Sequence, residues 1–180
     1  AELHVERQFT FLPGVLSGLG MYFNFGYTDS EAFQRWPWYA PTFDADGNIQ
    51  SYELRMLDFA GQRFNYQAAT SGTAALTYNK RGVDATLAYG FQDRYQTGFT
   101  PGNLDRFAEG LGTLDLRIAY FFDRGGIKWR TFLEGTDLLK GVTDADLLNS
   151  FGGVDGSDKY YTSGSYLGGR EFRLGVSATF

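Results

Sequence analysis

Apolar side chains recur at every second position in about seven stretches of this chain, the periodicity of strands with one greasy and one wet face. Leu3, Val5, Phe9 and Phe11 alternate with His4, Glu6, Gln8 and Thr10, and Arg7 is the one charge on the apolar side. Past a turn at 12–18, Leu19, Met21, Phe23, Phe25 and Tyr27 alternate with Gly20, Tyr22, Asn24, Gly26 and Thr28, so these two stretches predict a hairpin. A third strand is expected within 64–79, where Ala74, Leu76 and Tyr78 oppose Thr73, Thr77 and Asn79. A tight turn at 80–82 leads into the most regular run, Val83, Ala85, Leu87, Tyr89 and Phe91 against Asp84, Thr86, Ala88, Gly90 and Gln92. Leu114, Leu116, Ile118, Tyr120 and Phe122 form the next stripe, and 123–126 turns the chain back. Ile127, Trp129 and Leu133 then oppose Lys128, Arg130 and Glu134, with Phe132 out of step. The last stripe is Phe172, Leu174, Val176, Ala178 and Phe180, against Glu171, Arg173, Gly175, Ser177 and Thr179.

The spacing of the stripes adds an asymmetry. Short turns at 12–18, 80–82 and 123–126 alternate with long connections at about 29–54, 93–112 and 137–166. Short turns at one end and long loops at the other are the habit of outer-membrane barrels, whose turns lie in the periplasm and whose loops lie outside. The expected fold is therefore all-β, an antiparallel transmembrane β-barrel segment of about seven strands from a larger barrel. A soluble β-sandwich also alternates strands and turns, and its outer faces are also polar. The loop asymmetry and the aromatic residue at the end of the last stripe favour the barrel.

Composition sharpens this picture. Aromatics make up 18% of the chain and glycine 24 of its 180 residues, with 4 prolines and no cysteine. Glycine is thus well above the soluble average of about 7%, and the mixture suits strands and turns better than long helices. No apolar run approaches the roughly 18 residues of a membrane-spanning helix, so membrane residence requires a barrel. A net charge of −5 argues against a nucleic-acid partner. The absence of cysteine removes disulfides and thiolate chemistry. The chain opens on Ala-Glu-Leu-His, already strand-like, without a basic segment and apolar core ahead of it, and is expected to be mature, trimmed or a piece of something longer.

Arg173, Gly175, Ala178 and Phe180 resemble the C-terminal assembly signal of bacterial outer-membrane proteins, a polar residue, a glycine and alternating apolar residues with a terminal aromatic. Four passages extend the likeness: QFTFLPG at 8–14 running through LSGLG at 16–20, AALTYNKRG at 74–82 into LAY at 87–89, FLEGTDLL at 132–139, and GGREFRLGVSATF at 168–180. In this order and spacing they resemble the C-terminal portion of a TonB-dependent outer-membrane receptor over essentially the whole chain. The resemblance implies an importer of a scarce nutrient (a ferric siderophore, cobalamin or a glycan) driven by TonB from the inner membrane. It also implies a barrel of about 22 strands plugged by an N-terminal domain, with 1–180 as its C-terminal part. The remaining strands and the plug are then partners supplied from elsewhere, because seven strands of a wide barrel leave two unpaired edges in lipid. The alternative is a non-transporting structural or adhesive outer-membrane barrel, or a small self-closing barrel of about eight strands, with an extra strand within 51–60.

Candidate binding groups lie in the long connections. Arg35, Trp36, Trp38 and Tyr39 in the first offer rings to stack on sugars, haem-like rings or aromatic siderophores, and a guanidinium for a carboxylate. Arg94 with Tyr95 and the tyrosines Tyr160, Tyr161 and Tyr166 have the same makeup, and all of these rings also suit an interfacial girdle or loop packing. Asp44, Asp46 and Asn48 flank Gly47 like the start of a calcium loop, without the completing Glu, and Asp-Gly is equally an ordinary hairpin turn. Glu6, Asp84, Asp115, Arg117, Lys128, Arg130, Glu134, Glu171 and Arg173 fall on the polar face, where mixed signs suit cross-strand pairing in a water-filled lumen. His4 is the single histidine and no Gly-x-Ser-x-Gly occurs, so neither an enzyme nor a cofactor is expected.

Overall fold

The period-two stripes assemble into one antiparallel meander. The computed structural model describes residues 1–98, 106–140, 145–152, 160–167 and 169–180. Its strands are β1 (Glu2–Gln8), β2 (Leu19–Tyr27), β3 (Ala32–Phe43), β4 (Ile49–Gln62), β5 (Thr70–Lys80), β6 (Val83–Gln92), β7 (Tyr95–Gly98), β8 (Arg106–Ala108), β9 (Leu111–Arg124), β10 (Ile127–Thr136), β11 (Ala145–Gly152), β12 (Tyr160–Leu167) and β13 (Glu171–Thr179). The main sheet has seven of them in the order β1-β2-β5-β6-β9-β10-β13, and these are the seven that alternation marks. The sheet stays open, with β1 and β13 at its two edges.

The expected count of about seven strands is corrected upward, because the connections are themselves stranded. β3 and β4 form a two-stranded sheet, and β12-β11-β8-β7 form a four-stranded one. The third main-sheet strand is narrower than the 64–79 window, beginning at Thr70. The stretch 51–60 belongs to β4, which pairs with β3 and adds no eighth strand to the main sheet. Pro37 and Pro41 inside β3 obscured that strand, since proline is confined to edges and bulges, and a two-stranded hairpin is all edge.

Turn chemistry explains the tight ends. Arg81 and Gly82 both have positive φ (54° and 79°), as do Gly125 and Gly126 (64° and 78°). Two consecutive left-handed residues are what the favoured two-residue hairpin turn needs. The 12–18 turn is a short 3-10 segment, Gly14–Gly18. It is pinned by Lys80, whose ammonium donates to Gly14 O at 2.6 Å and to Ser17 Oγ.

Register shows how the apolar face is built. Residues directly opposite each other in an antiparallel pair share a face. One row runs Arg7, Met21, Leu76, Leu87, Leu116, Gly135 and Phe172. It starts near the short-turn end of β1 and finishes near the long-connection end of β13, so successive strands are staggered in one direction, as strands tilted in a curved sheet must be. The middle of this face is largely aliphatic, with Phe23 of β2 and Thr131 of β10 as exceptions. Phe25, Phe91 and Tyr89 gather at the long-connection end, with ring centroids 6.3 and 6.4 Å apart. Tyr120, Phe122 and Trp129 gather at the short-turn end, at 5.6 and 6.3 Å.

The opposite face is polar and paired. Arg117 meets Glu134 at 3.5 Å across β9 and β10, and Arg173 meets Glu171 at 2.7 Å. Asn79 donates to Asp84 at 3.0 Å, and the Asp137 amide donates to Asp115 at 3.0 Å. His4 lies edge-on to Tyr22 with centroids 5.2 Å apart. Phe132, out of step in the sequence, sits on this polar face. Its ring covers Gly175 of β13, Arg130 lies 4.6 Å over it, and its register partner Ala119 is only 1% exposed. A glycine at 175 is required because a Cβ there would enter the Phe132 ring. Gly72 on the apolar face is the counterpart, flanked by Phe25 and Phe91, with a Cβ only 2.8 Å from the Phe91 ring.

No layer covers either face of the main sheet among the described residues, and inter-strand contacts run between hydrogen-bonded neighbours. The accessible surface is 12432 Å², against about 8,700 Å² for a compact domain of this mass. Ala108 and Ala119 are the buried apolar side chains among the described residues. A sandwich needs a second sheet on the apolar side, and among the described residues none stands there.

Filling the Gly175 gap tests this packing. Gly175→Ala is expected to destabilise the chain by about 1–3 kcal/mol through overpacking, read as a lower denaturation midpoint. Adding Phe132→Leu should recover most of the loss, and equal midpoints for Gly175→Ala and the parent would show that the ring does not occupy this space.

Candidate functional site

Alternating turns place all three long connections at one end of the main sheet, so the candidate binding groups share that end. The β3–β4 hairpin is a long ribbon, the 12 residues of β3 giving roughly 40 Å of extended chain. Arg35 lies opposite Asp58 and bonds it through Nε at 2.7 Å and a second nitrogen at 3.2 Å. The guanidinium expected to meet a ligand carboxylate thus meets one from β4. The Asp58 carboxyl is held below the ordinary carboxylate range by this hydrogen bond and by the Arg35 charge, and the Arg35 pKa is correspondingly raised.

Strand geometry also divides the aromatic quartet. Trp36 faces Leu57 and Trp38 faces Arg55 on one side of the ribbon, while Arg35 and Tyr39 lie on the other with Pro37, Met56 and Leu54. Trp36, Trp38 and Tyr39 are 46%, 40% and 63% exposed, so each ring is available. They form two one-sided surfaces rather than a single platform.

At the hairpin tip, Asp44 Oδ1 accepts from the Asn48 amide at 2.8 Å and from the Asp46 amide at 2.9 Å, and Oδ2 accepts from the Asn48 side chain at 3.4 Å. Gly47 has φ 84°. This is the hairpin-turn reading of the Asp-Ala-Asp-Gly-Asn stretch, with the carboxylate spent on the turn's own N–H groups. Those bonds, the Asn48 amide first, lower the Asp44 pKa. Asp46 and Asn48 gather no further carboxylate, and no cluster of three acidic or histidine side chains occurs among the described residues.

The second candidate pair lies deeper. Where β4 returns to β5, Arg63 donates to Thr28 O at 2.9 Å and pairs with Asp29 at 3.3 Å, and Phe64 N donates to Ser30 Oγ at 3.2 Å. The Tyr66 amide donates to Gln96 O at 2.7 Å, joining this return to β7. Arg94 lies 3.9 Å over the Phe107 ring and 3.5 Å from Glu109, and Tyr95 sits beside Tyr66 with centroids 6.5 Å apart. Together Arg63, Gln67, Arg94, Tyr95, Gln96 and Phe107 enclose a cleft of about 340 Å³. Sequence reading found Arg94 and Tyr95 but missed Arg63, Gln67, Gln96 and Phe107. Nothing local distinguishes them, because they come from both sides of two long connections.

Tyr160 and Tyr161 open β12, the outer strand of the four-stranded sheet, opposite Gly152 and Phe151. Tyr166 is in the same strand, opposite Asp146. Of the residues expected to form an assembly signal, Arg173 and Gly175 are on the polar face of β13 against Glu134 and Phe132, Ala178 lies opposite Trp129, and Phe180 is 97% exposed.

Compared with protein-family models, with curated proteins and with solved structures, the chain matches none.

The lowered carboxyl groups give the hairpin a definite pH response. A depressed folded-state pKa contributes stability that is complete above the ordinary carboxylate pKa of about 4 and is lost as pH falls through the folded value. Amide-exchange protection of Asp46 and Asn48, whose N–H groups donate to the Asp44 carboxylate, should therefore hold from neutral pH to about 5 and fade in stronger acid. Asp44→Ala should abolish it even at neutral pH, whereas Asp44→Asn, which keeps one acceptor oxygen, should retain it and lose the acid sensitivity. Protection in the Asp44→Ala chain equal to that of the parent would remove the role given to this carboxylate.

Proposed function

We propose that this chain is part of the β-barrel of a TonB-dependent importer in the bacterial outer membrane, its main sheet crossing the bilayer and its long connections capturing a nutrient outside. The observation that carries the reading is the banded apolar face, a largely aliphatic middle between two aromatic groups, opposite a polar, ion-paired face. Aromatic girdles at both interfaces with hydrocarbon-facing aliphatics between them are the pattern of strands that cross an outer membrane. Strand length agrees for five of the seven main-sheet strands, β1 being shorter at 7 residues and β9 longer at 14. β2, β5, β6, β10 and β13 have 9, 11, 10, 10 and 9 residues, and a tilted strand needs roughly 9–11 to cross.

The open edges support a larger barrel. An unpaired edge in hydrocarbon leaves N–H and C=O groups without partners, so β1 and β13 call for further strands beside them. Lipid covers the apolar face in this reading, and the polar face lines a lumen that receives the plug domain, through which TonB acts. The assignment to TonB-dependent receptors rather than to another large barrel rests on the sequence passages described above. Their cargo class is a small metal chelate, cobalamin or a glycan, with Trp36, Trp38, Tyr39, Tyr95, Tyr160 and Tyr161 on the capturing side. Arg7, the charge on the apolar face, falls near the short-turn end of β1, where a long side chain reaches the interface.

Two substitutions on adjacent residues separate the faces. Leu87→Arg, in the aliphatic middle, should lower insertion into the outer membrane, with about 2–4 kcal/mol lost, while Ala88→Lys, on the polar side opposite Asp115, should insert normally. Normal insertion of both would show that the Leu87 row does not meet lipid. For the importer, uptake should stop when TonB is deleted while binding at the cell surface persists. Uptake unchanged without TonB would reduce the protein to a passive or structural barrel.

A further inference from the structure

The short-turn end of the apolar side carries a line of positive charge. Lys80 and Arg124 are the last residues of β5 and β9, and each closes its turn against the first residue of the next strand, Val83 and Ile127. By alternation with Tyr78 and Phe122, both project from the apolar side. Arg7 of β1 is on that side too, two residues ahead of Phe9, whose N–H donates to Leu19 O and closes the first turn. Arg81 follows Lys80 in the second turn. One strand separates β1 from β5 and another separates β5 from β9, so the cations recur at roughly 10 Å along this edge.

Nothing among the described residues neutralises this line. Arg7, Arg81 and Arg124 are exposed and form no ion pair there. Lys80 donates to the Gly14 carbonyl and the Ser17 hydroxyl, which fix the ammonium without cancelling its charge. The acids of the same end, Glu6, Asp84 and Asp123, fall on the polar side by alternation. Elsewhere Arg35 meets Asp58, Arg63 meets Asp29 and Arg117 meets Glu134. The whole chain has 21 acidic against 16 basic residues, so this excess of cations runs against the composition.

We infer that this edge binds the headgroups of anionic glycerophospholipids. Such a lipid matches both parts of the surface, its acyl chains meeting the aliphatic rows and its phosphate meeting guanidinium groups, which bind phosphate through paired N–H bonds. Tyr120, Phe122 and Trp129 stack beside the line, at the level of the glycerol between chain and headgroup. A zwitterionic phospholipid brings the same phosphate with its own ammonium beside it and gains less. A soluble acidic partner would satisfy the cations and leave the adjoining aliphatic rows uncovered. The inference rests on the barrel reading for the apolar side facing lipid and the short turns facing the periplasm. It adds the class of lipid and the residues that select it, and needs neither TonB nor a cargo.

The test is native mass spectrometry of the complete receptor in detergent, titrated with phosphatidylglycerol, phosphatidylethanolamine and lipid A, with inorganic phosphate as a competitor. Phosphatidylglycerol is expected to bind most tightly, and Arg124→Gln and Arg7→Gln should each weaken it about fivefold while leaving phosphatidylethanolamine almost unchanged. Arg124→Lys should keep most of the preference. Lys128→Gln removes a charge at the same end but on the polar side, opposite Asp123, and should bind phosphatidylglycerol like the parent. Heat-modifiable gel mobility identifies variants that still fold, and the two arginine variants, on separate strands, keep the test informative if one of them does not. Equal affinity for the two phospholipids overturns the inference, as does a loss in Lys128→Gln as large as that in Arg124→Gln. Tightest binding by lipid A would assign the cations to the other leaflet, and displacement by inorganic phosphate beyond that by chloride at the same ionic strength would assign them to a free anion; either result overturns it. Normal insertion of Leu87→Arg would instead defeat the barrel reading, whereas indifference to lipid charge in a protein whose insertion Leu87→Arg blocks would defeat this inference alone.

Discussion

The main sheet is held together sideways. Its seven strands exchange backbone hydrogen bonds in an unbroken order from β1 to β13, and among the described residues almost no side chain is sealed from its surroundings. In a water-soluble domain the hydrophobic core supplies most of the driving force. Here the apolar surface is displayed instead of enclosed, with Leu76, Leu174 and Val176 at 57%, 82% and 63% exposure. A sheet of this kind reaches its lowest free energy when the solvent on one side is apolar and that on the other is water, because each face then meets what its side chains match. Most of its other features serve that division.

The side-chain rows follow from it. Rings cluster toward the two ends of the apolar face, and its middle is largely aliphatic. Glycines stand where a neighbouring ring must lie flat on the backbone, Gly72 beneath Phe91 and Gly175 beneath Phe132. The Gly175 site matters for the last strand, since Phe132 reaches across from β10 and fixes how β13 docks. On the polar face, Arg117 with Glu134 and Arg173 with Glu171 neutralise each other locally, so the face is wet without carrying a strong field of one sign.

The long-connection end obeys a different rule. Its strands pair among themselves, and the hairpin depends on a carboxylate-capped tip and on Arg63 anchoring its base to Thr28 and Asp29. Order of this sort gives rings and amides fixed positions, which a ligand site requires if binding is not to spend its energy on ordering a loop. Arg35 shows the limit of reading chemistry from a motif. The Arg-Trp-Pro-Trp-Tyr run looks like one ligand-binding cluster, but as a strand it sends alternate residues to opposite sides and gives its cation to Asp58.

Alternation and turn residues along the chain by themselves determined the seven main-sheet strands, their two faces and the sharp turns at Gly82 and Gly125-Gly126, and left the Asp44 stretch open between a hairpin turn and a calcium loop. Each determined feature is a local matter: side-chain period and left-handed backbone are set within a few residues. Local pattern could not reveal that Phe132 is out of step because it roofs Gly175, since the cause lies 43 positions away on another strand. Nor could it reveal strands in the connections, where prolines and bulges interrupt the alternation and no large apolar face enforces a register. The cleft was decided by tertiary structure alone. Gln67 and Gln96 are unremarkable polar residues in sequence, and only the approach of the 63–69 return to β7 buries Gln67 Oε1 and Gln96 Nε2 without hydrogen-bond partners.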